Sequence, residues 1–213
     1  MKIILIGIQG AGKSTQGNLL SGNLKIPYLS TGHIFRDLAK EHTPEGRYIK
    51  ETINAGYLLP DDKTLQVVSE YLHREEYRNG YILDGFPRTI AQADALAGFS
   101  ELDAAVDFEV RDDLILFRLT GRRVCRSCGA IYHQVTKKPI ADGVCDLCGG
   151  ELYTRSDDRE ETVKTRLKAY HDETEPLIGY YADRGLLLKI DGSPDAETVY
   201  NAFISEIGRF LKK

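Results

Sequence analysis

The sequence predicts an α/β fold: a parallel five-stranded sheet covered by helices, with a helical insert and a small cysteine-containing lobe. Three observations carry that reading. Short apolar runs alternate with longer helical patterns, as a parallel sheet with crossover helices requires. The first apolar run, Ile3-Ile4-Leu5-Ile6, leads at once into a glycine-rich turn that ends in Gly12-Lys13-Ser14. All four cysteines fall between positions 125 and 148, where the alternation stops.

Taken in order, the expected strands are Lys2–Ile6, a short one near Tyr28, Tyr81–Leu83, Ala105–Val110 and Leu186–Ile190. Helix starts are marked by capping residues beside prolines: Thr43 before Pro44, Asp61 after Pro60, Thr89 after Pro87-Arg88, and Asp195 after Pro194. A helical pattern from about Glu160 to Arg184 contains Pro176, which predicts a kink or break there, because proline removes a backbone donor and clashes with the preceding turn. Residues 30–71 read as a helical insert between the second and third strands. Residues 122–158, with their glycines, cysteines and β-like pieces such as Ala130–His133, read as a second lobe. The core is then 1–29, 72–121 and 159–213.

Bulk properties narrow the function. A chain of 213 residues suffices for one well-cored domain with small inserts. Its 42% hydrophobic and 28% charged residues are those of a globular protein, and a net charge of −4 excludes nucleic-acid binding through a general basic field. The N-terminal apolar run is too short for a signal-peptide core, and nothing approaches the roughly 20 apolar residues that span a membrane. A cytoplasmic protein with no membrane partner is expected.

Gly7-Ile8-Gln9-Gly10-Ala11-Gly12-Lys13-Ser14 fits G-x-x-x-x-G-K-[ST] at every fixed position, between a strand and a helical pattern. Glycines let the backbone curl so that its N–H groups face phosphates, and the helix N-terminus adds partial positive charge. The motif predicts a P-loop NTPase-type fold and a nucleoside triphosphate site at Gly10, Ala11, Gly12, Lys13, Ser14 and Thr15. Lys13 would reach the β- and γ-phosphates, and a hydroxyl of Ser14 or Thr15 would sit near Mg²⁺. GTPases, ATPases and small-molecule kinases share this loop, so it does not name the reaction.

Asp84-Gly85-Phe86-Pro87-Arg88-Thr89 followed by Gln92 resembles the D-G-F-P-R-T-x-x-Q signature of adenylate kinases. Tyr28-Leu29-Ser30-Thr31-Gly32 with Arg36 is similar to that family's L-S-T-G-D-x-x-R segment. Gly121-Arg122-Arg123-Val124, and Arg155-Ser156-Asp157-Asp158 with Arg166, resemble the two edges of its lid. The resemblance runs in order over essentially the whole chain. It implies transfer of the ATP terminal phosphate to AMP, with Mg²⁺, by a monomer.

It also implies roles. Arg36 and Arg88 would hold the AMP phosphate, while Arg122, Arg155 and Arg166 close over the transferring group. Arginine suits both tasks because its rigid fork donates two hydrogen bonds to phosphate oxygens. Arg118 is similar to the arginine that packs on the ATP base, and Asp84 to an outer-sphere partner of Mg²⁺. Thr31, Gly85, Phe86, Pro87, Gln92 and the backbone of Tyr57, Leu58 and Leu59 look like the AMP pocket. Ile131, Tyr132 and the main chain at Pro194 resemble further ATP-side contacts. His33 stands where the family usually has an aspartate, and Gln9 and Ser14 replace its more usual proline and glycine. Thr31 with Gln92 favours adenine; a kinase for UMP, CMP or GMP is the alternative.

Cys125-x2-Cys128-x16-Cys145-x2-Cys148 matches a four-cysteine zinc site. Four protein ligands leave no open position, so such a metal is structural, and some adenylate kinases carry one in the lid. The lobe lacks the basic stripe with stacking aromatics that a zinc-ribbon nucleic-acid module needs. His42, His73, His133 and His171 fall on no ligand spacing.

Overall fold

In the computed structural model, which describes residues 1–211, strand β1 (Lys2–Ile6) lies at the centre of the sheet. It can do so because Ile3, Ile4, Leu5 and Ile6 are all apolar, and each is at most 2% exposed. Its neighbours are β3 (Tyr81–Asp84) and β4 (Ala104–Glu109), with β2 (Tyr28–Ser30) and β8 (Leu187–Asp191) at the edges. The order is β2-β3-β1-β4-β8 and every pairing is parallel, as the sequence predicts. Strand order reverses beside β1, which creates a crevice at the carboxyl ends of the strands.

Alternation along β1 divides the interior into two cores. Ile3 and Leu5 pack with Leu20 of α1 (Lys13–Leu24), Ile115 and Leu119 of α6 (Asp112–Thr120), Val163 of α7 (Glu160–Ala169) and Phe203 of α9 (Ala196–Phe210). Ile4 and Ile6 pack with Val68 of α4 (Asp61–Leu72), Leu96 of α5 (Ile90–Ala97), and Leu177 and Tyr181 of α8 (Pro176–Ala182).

Local signals set the helix ends. Thr89 Oγ1 accepts the Gln92 N–H at 3.2 Å, and Asp195 Oδ1 accepts those of Glu197 and Thr198 at 3.0 Å. Each such cap contributes about 1 kcal/mol. Thr43 caps α3 (Pro44–Ala55) in the same way, accepting from Gly46. Asp61 does not cap: Pro60 flanks the helix, Asp61 is its first residue, and its carboxylate turns instead to Thr89 and Gln92. The long pattern from Glu160 breaks ahead of Pro176. There α7 opens into a π turn, Tyr170–Thr174, and the Glu175 N–H reaches back to the Tyr170 carbonyl at 2.8 Å.

Two lobes rise from the carboxyl edge. Between β2 and β3 lie α2 (Thr31–Leu38), α3 and α4, which share a small core of Phe35, Ile49 and Leu59. Between α6 and α7, β5 (Arg122–Cys125) pairs antiparallel with β6 (Ile131–His133) and β7 (Leu152–Tyr153). That lobe's core is Cys125, Tyr132, Cys145 and Leu152. Among the described residues no helix is long and apolar enough to cross a membrane.

Candidate active site

The loop from β1 to α1 is built on glycine. Gly10 and Gly12 sit at φ +92° and +95°, in the left-handed region that other residues rarely adopt. The turn delivers Lys13 to the first position of α1, and its ammonium folds back onto the carbonyls of Gly7 (2.5 Å) and Ile8 (3.0 Å). Burial pulls the Lys13 pKa below its ordinary value, while Asp84, with Oδ1 4.0 Å away, opposes that fall. Asp84 ends β3, in register with Leu5. Its backbone carbonyl accepts from Thr31 Oγ1 at 3.2 Å, and its Oδ2 from the Tyr28 hydroxyl at 2.6 Å.

The crevice opens into a cleft of about 700 Å³. Gly10 through Thr15 line it, together with Arg36, Arg88, Arg118, Arg122, Arg155 and Arg166. Thr31, Tyr57, Leu58, Leu59, Gly85, Pro87, Gln92, Ile131, Tyr132 and Pro194 complete its walls among the predicted residues, and His33 also reaches it. Phe86 does not: its ring is fully buried in the core with Ile4 and Leu83.

Two acids that the sequence reading left without a role organise the arginines. Asp157 and Asp158 are 4% and 2% exposed. Asp158 takes both Nε (2.8 Å) and Nη2 (2.5 Å) of Arg122, a bidentate fork. Asp157 pairs with Arg155 at 2.5 Å and Arg166 at 3.0 Å. Burial alone would push the Asp157 carboxyl up; the two guanidiniums instead hold it well below the carboxylate range. Arg166 also donates to Gln9 Oε1 and, at 3.0 Å, to the Ile53 carbonyl. Arg36 and Arg88 differ, for among the described residues neither pairs with a carboxylate. Burial, then the charge of Arg155, pulls the Arg36 pKa down to about 10, and burial also lowers that of Arg88. Both are poised for an anion.

Arg118 is tied by its guanidinium to the carbonyls of Gly192 (2.8 Å), Ser193 (2.7 Å) and Pro194 (3.3 Å). Gln92 is also fixed: Oε1 accepts the Arg88 N–H at 2.7 Å, and Nε2 donates to Asp61 Oδ1 at 2.7 Å. Sequence reasoning missed this use of Asp61, because an acid at a helix start looks like a cap. It assigns no role to the Tyr28 hydroxyl either, placing that residue only in a strand and at the start of the 28–32 segment.

In the second lobe the sulfurs of Cys125, Cys128, Cys145 and Cys148 lie within 4.8 Å of one another, and all four are free thiols. Cys125 and Cys148 are 3.5 Å apart, and Cys128 and Cys145 3.6 Å. Sulfurs around a tetrahedral zinc, at 2.3 Å from the metal, stand about 3.8 Å apart. The donor set therefore fits zinc. Tyr132 belongs to this site as well as to the cleft wall. Its hydroxyl lies 3.5 Å from Cys145 Sγ and is the main cause lowering that thiol's pKa to about 6.

A sequence model described as adenylate kinase matches residues 5–186. Curated proteins align over nearly the whole chain. That of Moorella thermoacetica is 47% identical over 214 residues, covering 98% of this chain and 99% of that protein. Those of Lachnoclostridium phytofermentans (46%) and Caldicellulosiruptor bescii (45%) align with the same coverage, and each is named adenylate kinase.

Proposed function

The chain belongs to the adenylate kinase family, and on that footing we propose that it moves the terminal phosphoryl group of ATP reversibly onto AMP, giving two ADP. One observation carries the assignment of residues: the phosphate cradle and two differently held sets of arginines line a single cleft.

Phosphoryl transfer asks little covalent chemistry of a protein. It asks that donor and acceptor be aligned and that charge be neutralised. The backbone of Gly10 to Thr15 and the Lys13 ammonium receive the ATP phosphates, and Arg118 with the Gly192–Pro194 carbonyls borders the nucleoside. Arg36 and Arg88, which pair with no carboxylate among the described residues, take the AMP phosphate. Thr31, Gly85, Gln92 and the Tyr57–Leu59 backbone border its base. Arg122, Arg155 and Arg166 are held in fixed planes by Asp157 and Asp158, so their remaining donors need no reorganisation as charge shifts between the nucleotides. Ser14 or Thr15 and Asp84 are hard oxygen donors that would hold Mg²⁺ directly or through water, and the ion would supply neutralisation of phosphate charge. The four cysteines hold a zinc ion that shapes the second lobe, and the two lobes, 30–71 and 122–158, exclude water from the cleft. We place the enzyme in the cytoplasm as a monomer, with neither nucleic acid nor membrane as partner.

A coupled assay with ATP and a panel of monophosphates tests this. AMP should be the preferred acceptor, and Lys13→Ala or Arg88→Ala should each lower kcat by on the order of 10²-fold or more, as losses of transition-state charge stabilisation do. Near-native activity in either variant, or preference for UMP, CMP or GMP, would overturn the assignment.

A further inference from the structure

We propose that Tyr28 is a positioning residue for phosphoryl transfer, its phenol setting the orientation of the Asp84 carboxylate beside the phosphate cradle. The inference rests on the kinase reading above, with Asp84 serving the magnesium-bound nucleotide.

Tyr28 opens the edge strand β2 opposite Ile82, two residues before the Ser30–Asp84 pair. Its O–H donates to Asp84 Oδ2 at 2.6 Å, a short hydrogen bond of the charge-assisted kind. The ring is seated as firmly as the hydroxyl. A Cβ built on Gly17 of α1 would lie 2.5 Å from ring Cε2 and 2.9 Å from Cδ2, so the aromatic edge rests against bare backbone in the helix that carries Lys13. One side chain thus joins the loop's helix, the edge strand and the carboxylate at the end of β3.

The geometry has a consequence for Asp84. A carboxylate turns about its terminal bond on a broad potential. With Oδ2 held by Tyr28, Oδ1 is the oxygen left toward Lys13, 4.0 Å away. The other acids lining the cleft, Asp37 and Asp157, are paired with Lys40 and with Arg155 and Arg166. Asp84 is therefore the cleft carboxylate left to serve the cradle. Without the phenol it is free to turn and close directly on Lys13, which withdraws both charges from the nucleotide.

Tyr28→Phe removes the hydroxyl and keeps the ring on Gly17. Wild type and variant are compared in steady-state kinetics, and by calorimetric titration of Mg²⁺ into enzyme saturated with a dinucleotide that links two adenosines. The expected result is a fall in kcat of about tenfold, the usual loss for one hydrogen bond to a charged group. KM for ATP and AMP should stay within about twofold, and Mg²⁺ affinity of the saturated complex should weaken several-fold. In an Asp84→Asn background, adding Tyr28→Phe should change Mg²⁺ affinity no further, because Tyr28 acts through Asp84. Superimposable Mg²⁺ titrations for wild type and Tyr28→Phe would overturn the proposal, as would an equal loss in the Asp84→Asn background. A wild-type protein that makes no ADP from ATP and AMP would instead overturn the kinase reading.

Discussion

Asp107 sits in β4 at 1% exposure, and neither of its carboxylate oxygens has a hydrogen-bond partner among the described residues. Burial, then the charge of Glu109, raises its pKa to about 6. Because the folded value lies above the unfolded one, near 3.8, the fold favours the protonated form. The stability that follows is complete below pH 4 and is lost as pH rises through 6. Asp107→Asn should therefore stabilise the protein at pH 7.5, by on the order of 1–3 kcal/mol or several degrees in Tm. The gain should vanish toward pH 4. Thermal melts at both pH values check this, and an equal gain at each would show that ionisation is not the cause. Nothing in the sequence marks Asp107, since an acid in a strand pattern reads as a solvent-facing position. The same limit hid three other contacts. Tyr28 meets Asp84 across 56 residues, Asp61 meets Gln92 across 31, and Arg122 meets Asp158 across 36. The cradle and the cysteine pairs were legible because their spacing is local.

At the scale of elements, strands were the most legible feature. Strands of a parallel sheet read as near-continuous apolar runs where both faces are covered, as in β1, and all five expected strands lie within a residue or so of those observed. The π turn was not legible, for Pro176 announces a break without saying that the preceding turn will widen. Phe86, expected in the pocket with its motif neighbours, turns its ring into the core, as a large apolar side chain just after a buried strand end does. The cysteine lobe is the element most exposed to experiment. Its core is four residues, two of them cysteines, too little to hold a fold unaided. On the zinc reading proposed above, metal binding would supply the missing free energy. Replacing Cys145 and Cys148 with serine should abolish bound zinc, about one ion per chain by elemental analysis, and lower Tm. ATP should still bind at the loop of residues 7–15. A metal-free protein that melts with the native one would remove the metal from the lobe's stability.

The whole molecule brings its two lobes against common partners. Ser156, at the edge of the second lobe, donates to Asn54 Oδ1 at 2.8 Å, and Arg166 of the core to the Ile53 carbonyl, so both meet the last turn of α3 in the first lobe. Arg155 raises the cost of Arg36's charge, which a bound phosphate would relieve. Filling the cleft should then draw the lobes together, a gating described for the adenylate kinase lid. A dinucleotide linking two adenosines should reduce the radius of gyration in small-angle scattering, and an unchanged scattering curve would refute closure. The sequence offers only two inserts flanked by arginines; which residues touch across them depends on the tertiary fold.

The pairing of β5 with β7 reaches beyond the mechanics of one enzyme. Val124 lies opposite Tyr153, and Cys125 opposite Leu152, so the chain enters and leaves the second lobe side by side. Everything between them is a cassette spliced into a closed doorway. Its length and its metal chemistry can drift, or the whole piece be exchanged for a short turn, without reordering a single strand of the main sheet. Modularity of that kind gives variation a place to accumulate while Arg122 and Arg155, just outside the doorway, keep their posts.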